Sequence, residues 1–311
     1  MWGGPPREYA GGGMATEEHA ITFHGRGGEL FGVYIVNLCL TLVTLGIYRF
    51  WAKVRVLRYL WSQTAFAGDR FVYHGTGKEL LKGWLKAGLI FGLPFYLLTN
   101  VGAFLEGNLP LQLGAVLLAY GLAMVFIPVA MVNTRRYRLS RTSWRGIRFS
   151  FRGRVTDFIK LYLGGMLLAV LTLGLYTPIF ATRRQAFMVS HAYVGNQAWQ
   201  FDGRGQELFG SFVRAVLLFP VTLGLSWFWY SAARRRYFWN HTALAAARFH
   251  CTVTGGQLLL LTLSNLLLLL CTLGFAWTSV TVRNVRFILT LQRHFQRNPE
   301  VALSSEALCN R

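Results

Sequence analysis

The sequence predicts an all-α integral membrane protein, a polytopic helical bundle built from five internal repeats with short strand-like turns between the repeats. Three observations lead to this fold class: a segment that recurs along the chain, six long apolar runs, and a composition with 53% hydrophobic and only 14% charged residues among 311. A soluble domain of this length does not bury so much apolar surface. The excess is therefore expected to face lipid.

The recurring segment is a glycine-rich motif that leads into an apolar run. Its copies FHGRGGELF, YHGTGKELL, FRGRVTDFI, FDGRGQELF and CTVTGGQLL begin at Phe23, Tyr73, Phe151, Phe201 and Cys251. In four of the five, the tripeptide Thr-Leu-Gly follows at the same distance, beginning at Thr44, Thr172, Thr222 and Thr272. We call the five segments units 1 to 5. The pattern predicts a repeat membrane domain over residues 23–295, a disordered N-terminal tail over 1–22 and a C-terminal tail over 296–311.

The apolar runs are candidates for membrane spans. They cover residues 30–52, 87–105, 111–133, 161–182, 215–233 and 258–282. A helix rises about 1.5 Å per residue and the hydrocarbon core of a bilayer is roughly 30 Å thick. Each run is therefore long enough, as one helix, to cross a membrane.

A basic, aromatic stretch ends the apolar part of every unit, such as WAKVRVLRYLW in unit 1 and YSAARRRYFWN in unit 4. Cytoplasmic flanks of membrane spans carry the excess of Lys and Arg, so five basic stretches on alternating sides are disfavoured. Helical hairpins that turn near Thr-Leu-Gly would return all the basic stretches to one, cytoplasmic, face. The alternative is one continuous long helix per unit, which suits the lengths of the runs but breaks the charge rule.

The net charge of +20 calls for an anionic partner. Anionic lipid headgroups are the predicted partner, because each basic residue near such a surface contributes about 1 kcal/mol. Nucleic acid is the competing interpretation, since aromatic residues alternate with arginines as on base-stacking platforms; interfacial aromatic belts give the same pattern, so no nucleic acid is predicted. The candidate contacts to lipid or to an anionic substrate are Arg55, Arg58, Arg135, Arg136, Arg183, Arg184, Arg234, Arg235, Arg236, Arg283 and Arg286.

Carboxylates recur at one position of the motif. Glu29, Glu79, Asp157 and Glu207 occupy it in units 1 to 4, and Gln257 in unit 5. One interpretation is that they satisfy free N–H groups at a helix start. Another pairs each carboxylate with an arginine of the basic stretch, Arg55 or Arg58 in unit 1. A third, a proton relay at membrane depth, is less favoured because the flanking residues place the carboxylates at the surface.

Catalysis of the soluble-enzyme type finds no support in the sequence. The four cysteines and the histidines lack metal-ligand or nucleophile spacing, so the chain is predicted to be no enzyme and to use no cofactor and no metal. His191 and His241 share one position of the units with Gln63, which predicts a polar ring at the membrane interface. Asn37, Asn100 and Asn265 inside the apolar runs are candidates for hydrogen bonds between helices or for a translocation path.

The stretch TLGIYRFWAKVRVLRYLWSQTAFAGDRFVYHGTGKELL resembles the signature of the YjgN-type family of uncharacterised bacterial inner-membrane proteins. The similarity extends from about Phe23 to about Phe295. The resemblance implies a multi-pass protein of the bacterial inner membrane and supplies no activity or binding residues. Two functions are carried forward: membrane transport or lipid handling with a basic cytoplasmic face, and a non-catalytic scaffold that binds anionic lipid or a protein partner.

Overall fold

The computed structural model describes residues 21–66, 68–101, 108–244, 247–290 and 294–297. Both predicted tails lie mostly outside these residues. Ile21 and Thr22, assigned to the N-terminal tail, belong to the first strand, and Gln296 and Arg297 belong to the last. Within the described part of the chain, helical hairpins alternate with pairs of short strands.

The helices fall into one long pair and several short pairs. They are α1 (Gly27–Val43), α2 (Arg49–Ser62), α3 (Gly77–Ala87), α4 (Leu93–Asn100), α5 (Leu109–Ser140), α6 (Val155–Leu171), α7 (Thr177–Ser190), α8 (Phe209–Leu218), α9 (Ser226–Asn240), α10 (Gly255–Cys271) and α11 (Trp277–Thr290). A π-helical segment, Gly88–Gly92, joins α3 to α4. Pro94, at the start of α4, explains the irregularity, because proline has no N–H to donate to the preceding turn.

The strands form a ten-stranded antiparallel sheet, so the predicted all-α fold class is wrong. They are β1 (Ile21–Phe23), β2 (Thr64–Phe66), β3 (Asp69–Tyr73), β4 (Thr142–Trp144), β5 (Ile147–Phe151), β6 (Ala192–Val194), β7 (Gln197–Phe201), β8 (Thr242–Leu244), β9 (Ala247–His250) and β10 (His294–Arg297). Each strand pairs with the next along the chain, from β1 to β10. The segments expected to be strand-like turns therefore belong to one sheet that joins all five units.

Side-chain alternation explains why these short segments pair. In β3, Phe71 points to the same side as Trp144 of β4, its partner in register, and the two rings are 6.5 Å apart. Trp61 of α2 packs on Phe71 from the helical side, with ring centroids 5.3 Å apart. On the other side, Arg70 and Val72 are exposed. The sheet thus has an aromatic face against the helices and an exposed face on the other side.

The Thr-Leu-Gly tripeptide reverses the chain between the two helices of a hairpin. In unit 1, Leu45 has φ +49° and Gly46 φ +89°, and the Gly46 N–H donates to the Thr41 carbonyl at 2.7 Å, a Schellman-type helix end. The Thr44 hydroxyl donates to the Leu40 carbonyl at 2.7 Å and accepts from the Tyr48 N–H at 2.9 Å. It therefore ties the end of α1 to the start of α2. The chain turns where the hairpin hypothesis placed the turn, and the continuous helix of the alternative is absent from these units.

The same turn recurs in three other hairpins, each with a leucine in the left-handed region: Leu173 (φ 51°), Leu223 (φ 49°) and Leu273 (φ 48°). A residue with a side chain costs about 1–2 kcal/mol in this conformation, and glycine or asparagine is the usual occupant. These leucines therefore need an explanation beyond the turn itself.

The turn also corrects the predicted spans. The runs 30–52, 161–182, 215–233 and 258–282 are each broken by it, so none of them is a single crossing helix. In the described residues, two helical stretches are long and apolar enough to cross a membrane: Gly77–Asn100, with 24 residues, and Leu109–Ser140, with 32. Both belong to unit 2, whose inserted residues replace the Thr-Leu-Gly turn. By contrast, the 17 residues of α1 extend only about 25 Å.

The helices close into a ring, because each contacts the next along the chain and α11 contacts α1. Glycines permit the close crossings between units. A Cβ on Gly27 of α1 would lie 2.9 Å from the Ser279 Oγ of α11, and a Cβ on Gly255 of α10 would lie 2.8 Å from the Trp229 Cα of α9. Leu30, Val132 and Phe158 are fully buried where the helices meet. The last hairpin thus packs on the first helix much as each other hairpin packs on its successor.

Candidate functional site

The repeated carboxylates lie where the first helix of a hairpin begins, beside the end of the second. In units 1 and 2 a tyrosine from the second helix meets the carboxylate: the Tyr59 Oη is 3.0 Å from the Glu29 Oε2, and the Tyr137 Oη is 3.0 Å from the Glu79 Oε2. In unit 4, Tyr237 donates to the Arg204 carbonyl at 2.7 Å and lies close enough to Glu207 for that carboxylate to raise its pKa. Each tyrosine ties the two ends of a hairpin together.

The tyrosine accompanies glutamate within the chain. In units 3 and 5, where the acidic position holds Asp157 or Gln257, phenylalanine (Phe187 or Phe287) takes the place of the tyrosine. The side chain of aspartate is one methylene shorter than that of glutamate, which is consistent with the absence of the tyrosine hydroxyl from unit 3. Sequence reasoning missed these tyrosines, although the matched change of Glu with Tyr and of Asp or Gln with Phe was a readable signal.

Helix capping explains part of the pattern. The Glu79 N–H donates to the Thr76 Oγ1 and the Thr76 N–H to the Glu79 carboxylate, both at 3.4 Å. Gln257 and Thr254 make the same reciprocal pair at 3.3 and 3.1 Å. The interpretation of this position as helix N-terminal chemistry is therefore right in units 2 and 5.

A basic residue lies beside the carboxylate in two units. Arg141 binds Glu79 through two bonds, of 2.6 and 3.2 Å. His241, which occupies the corresponding position in unit 4, places its Nε2 3.7 Å from the Glu207 Oε2, while its Nδ1 lies 2.8 Å from the Tyr237 carbonyl. Gln63 and His191 occupy the same position in units 1 and 3. The residues predicted to form a polar ring at the membrane interface therefore include His241, which lies beside a carboxylate.

The predicted partners of Glu29 are wrong. Arg58 donates instead to the Gly75 carbonyl of the next unit at 3.3 Å, and Arg55 lies 3.5 Å from the Asn37 Oδ1. The reason is helical geometry, because Tyr59, one residue beyond Arg58, is turned toward α1 while Arg58 points toward the neighbouring unit. Pairing of a carboxylate with an arginine is thus correct in kind for Glu79 but not for Glu29.

The tyrosines beside the carboxylates remain protonated at physiological pH. Burial and then the hydrogen bond to Glu207 raise the pKa of Tyr237 to about 12. Burial, with Glu29 nearby, also raises the pKa of Tyr59. Both phenols therefore act as hydrogen-bond donors, an arrangement that favours fixing the hairpin base over relaying protons.

The predicted arginines lie along the second helices of the hairpins. Nine of the eleven are exposed, and Arg184 and Arg234 are half-buried. Three of the exposed arginines serve as contacts between units: Arg58 to Gly75, Arg136 to the Gly153 carbonyl at 2.9 Å, and Arg286 to the Gly25 carbonyl at 3.1 Å. Arg283 donates to the Ser264 Oγ at 3.1 Å. Others, such as Arg183 and Arg235, are also exposed.

The aromatic residues near the arginines differ in how far they are exposed. Tyr230, whose ring centroid is 5.7 Å from the Arg234 guanidinium, is only 2% exposed. A buried ring cannot stack on a base, so Tyr230 is not available for such stacking, whereas Trp227 and Trp229 of the same helix are 42% and 53% exposed.

The polar residues in the apolar runs mostly join the helices of a hairpin. The Asn37 Nδ2 lies 3.4 Å from the Ala52 carbonyl, and the Asn265 Nδ2 donates to the Asn284 Oδ1 at 2.9 Å. Asn100 bonds within its own helix, to the Tyr96 carbonyl at 2.8 Å. The hydrogen-bond interpretation is therefore right for Asn37 and Asn265.

A cleft of about 370 Å³ lies between α2 and β3 and is lined by Arg58, Ser62, Phe71, Val72, Tyr73 and His74. Arg58, Ser62 and His74 already have protein partners, whereas the buried Tyr73 Oη has no hydrogen-bond partner among the described residues. Arg58 binds the Gly75 carbonyl, and the His74 Nε2 is 2.8 Å from the Ser143 Oγ. The cleft therefore offers a ligand little unsatisfied polar chemistry.

A family model described as "Bacterial protein of unknown function (DUF898)" matches residues 18–228 and, again, residues 212–298. The chain belongs to this family. Proteins named "Inner membrane protein YjgN" are similar to it: that of Escherichia coli strain K12 is 35% identical over 140 residues, and that of Salmonella typhimurium strain LT2 is 31% identical over 136 residues. Each match covers 44% of this chain and 32% of the relative, so it spans about a third of the relative's length. No solved structure matches.

These findings confirm the predicted family and the location of this DUF898 protein in the bacterial inner membrane. In this location, lipid is the medium that the exposed apolar side chains contact. The leucines of the four turns are almost completely exposed: Leu45 94%, Leu173 95%, Leu223 93% and Leu273 88%. Burying a leucine side chain in an apolar medium gains about 1.5–3 kcal/mol, which is enough to offset the cost of the left-handed conformation.

Proposed function

We propose that this DUF898 protein is a non-catalytic membrane scaffold that binds anionic phospholipid headgroups through the arginines of its second helices. The observation that carries the proposal is the position of these arginines. Arg55, Arg183 and Arg283 each follow the exposed leucine of the preceding turn by ten residues, and all three are exposed. With the leucines in hydrocarbon, the arginines lie at headgroup level.

The proposal treats the five units as structural repeats of one ring, a view supported by the matching turns and by the contact between α11 and α1. The positive-inside rule assigns the basic face to the cytoplasm. Arginine suits phosphate because its planar guanidinium donates two parallel hydrogen bonds to phosphate oxygens. Since each arginine would act as one increment of a charged surface, binding should be additive and should weaken with salt.

Lipid preference in nanodiscs tests the proposal. Spin-labelled phosphatidylglycerol and phosphatidylcholine report the lipid held at the protein surface as a motionally restricted fraction. We expect a preference for phosphatidylglycerol at low salt that falls at high salt. Arg183→Gln, Arg235→Gln and Arg236→Gln should each reduce the preference by up to about fivefold, since each basic residue contributes about 1 kcal/mol.

The matched control is Arg248→Gln in β9 of the sheet, where Arg248 binds Asp202 at 2.6 Å. It removes the same charge from the protein and should leave the lipid preference unchanged. Equal restriction of both lipids by the unmodified protein would overturn the proposal.

A second candidate, movement of anionic lipid or solute across the membrane, is favoured by the closure of the helices into a ring. It predicts flux in proteoliposomes, for example exchange of a fluorescent phosphatidylglycerol between leaflets. Exchange above that of empty liposomes would support transport over scaffolding, especially if one inward arginine proved indispensable. Exchange at the rate of empty liposomes would reject lipid transport.

A further inference from the structure

The four hairpin tips form an apolar surface that the protein itself leaves uncovered. Each tip is a Thr-Leu-Gly turn whose leucine is at least 88% exposed. Neighbouring side chains are exposed as well, including Val43 at 81%, Val221 at 80% and Phe275 at 73%. The tips lie at the end of each hairpin opposite the sheet, because the strands attach to the other ends of the helices.

The backbone conformation shows that the leucine side chain itself is needed at the tip. Glycine or asparagine would occupy the left-handed position with less strain, and a turn facing water gains nothing from an exposed leucine. All four turns nevertheless place leucine there, with φ between 48° and 51°. The side chain therefore has an apolar partner outside the protein, and in an inner-membrane protein the available partner is the acyl chains of lipid.

The distance between a tip leucine and the following arginine on the second helix limits how deeply the tip can enter the membrane. Ten residues separate Leu45 from Arg55, Leu173 from Arg183 and Leu273 from Arg283. At about 1.5 Å per residue this is about 15 Å, half of a hydrocarbon core of roughly 30 Å, and tilting the hairpin only shortens the depth. In α5 the uncharged residues 111–132 extend about 33 Å, enough for the whole core.

We propose that the four Thr-Leu-Gly hairpins enter only the cytoplasmic leaflet and end among its acyl chains, while the hairpin of unit 2 alone crosses the bilayer. The backbone of each tip is compatible with this depth, because the threonine hydroxyl and the glycine N–H are both bonded within the turn. The inference rests on the membrane location and does not require that the arginines bind headgroups.

One charged residue lies close to a tip. Arg49 begins α2, four residues after Leu45, and its guanidinium lies 5.3 Å from the Trp84 ring and 5.0 Å from the Phe50 ring. Trp84 is on α3 between Lys82 and Lys86. The arginine thus reaches toward a segment that carries charges of its own, as a basic side chain near the hydrocarbon boundary does.

Native cysteines provide the test. Cys271 immediately precedes the tip at Thr272, Cys39 lies in α1, and both are exposed. In a variant with Cys251 and Cys309 replaced by serine, a membrane-impermeant maleimide should label neither thiol from either side of the membrane, because the thiolate that attacks a maleimide does not form in hydrocarbon. Both thiols should react once the protein is unfolded in sodium dodecyl sulfate. Labelling of Cys271 from the periplasm would show that the hairpin crosses. Labelling from the cytoplasm would show that the tip lies in water, and either result overturns the proposal.

Two introduced cysteines calibrate the sides, in a background that lacks all four native cysteines. Leu109→Cys, at the start of α5 in unit 2, should react from the periplasm. Asn196→Cys, in the exposed turn between β6 and β7, should react from the cytoplasm. If a lipid whose acyl chain carries a photoactivated diazirine fails to cross-link the peptide that contains Leu273, the tip is covered by protein and the proposal is also overturned. Loss of lipid preference in the arginine variants leaves these outcomes unchanged, so the two proposals fail independently.

Discussion

Arg286 in α11 donates a hydrogen bond to the carbonyl oxygen of Gly25, 261 residues earlier in the chain. Arg58 and Arg136 make the same contact with the glycine of the following unit. The contact between Arg286 and Gly25 therefore joins the end of the helical ring to its beginning. It joins residues near the two ends of the described chain, and it can be removed by one substitution.

Replacing Arg286 by glutamine should destabilise the protein by about 1.5–3 kcal/mol, the range for a hydrogen bond to a charged group. Thermal unfolding of the purified protein in detergent measures the effect. Arg283→Gln is the matched control, since it lies on the same helix and removes the same charge but bonds only to Ser264 within its own hairpin. Equal melting temperatures of the two variants would show that ring closure does not depend on this bond.

The pair of Tyr137 and Glu79 should show energetic coupling. In a double-mutant cycle with Tyr137→Phe and Glu79→Gln, we expect a coupling energy of about 1 kcal/mol, because the residues share a hydrogen bond at a half-exposed site. Denaturant unfolding of the four proteins gives the value. Phe187→Tyr in unit 3 serves as the comparison: the shorter Asp157 should give the new hydroxyl little stabilisation. A coupling energy near zero would contradict the role assigned to the tyrosine.

Alkaline pH should abolish the contribution of Tyr237. Its pKa rises from about 10 to about 12 on folding, mainly through burial and then through Glu207, so the folded state holds the phenolic proton more tightly. The resulting stabilisation is complete below pH 10 and is lost as the pH rises toward 12. Melting curves between pH 8 and 12 should show the unmodified protein losing stability more steeply than Tyr237→Phe above pH 10. Parallel curves would exclude the shift.

The sequence predicted the structural features that depend on a few neighbouring residues. Thr44, Leu45 and Gly46 predicted a turn because the tripeptide recurs at one place in the units, and the turn is there. Hydropathy alone did not indicate this turn, because Leu45 is equally apolar in a turn and in a helix. The run 30–52 therefore resembled a single span, although the chain reverses within it.

The sheet and the ring could not be predicted in the same way. Alternating aromatic and polar residues indicated that the segment containing Phe71 was strand-like, but not that its partner would be Trp144 after a long helical insertion. The acid of the motif was found from its repeated position, whereas its contact with the tyrosine, 30 residues away in unit 1 and 58 in unit 2, depends on how the two helices of a hairpin pack together. Contact between α11 and α1 joins opposite ends of the sequence, and no local pattern encodes it.

Replacing a tip leucine should change the stability of the protein in a direction that depends on whether the tip lies in water or in hydrocarbon. In water, Leu223→Asn should stabilise the protein slightly, because asparagine tolerates φ near 49° and no buried contact is lost. In hydrocarbon the same change should destabilise it by about 2–4 kcal/mol, since an apolar contact is lost and an amide is buried without a partner. We expect destabilisation when unfolding is measured in bilayers.

Arg145→Asn controls for the backbone, since Arg145 has the same φ of 49° in a turn of the sheet and pairs with Asp69. Losing an exposed ion pair costs at most about 1 kcal/mol, so this variant should remain close to the unmodified protein. If Leu223→Asn also leaves stability unchanged or raises it in bilayers, the tip does not lie in hydrocarbon, and the left-handed leucines require another cause.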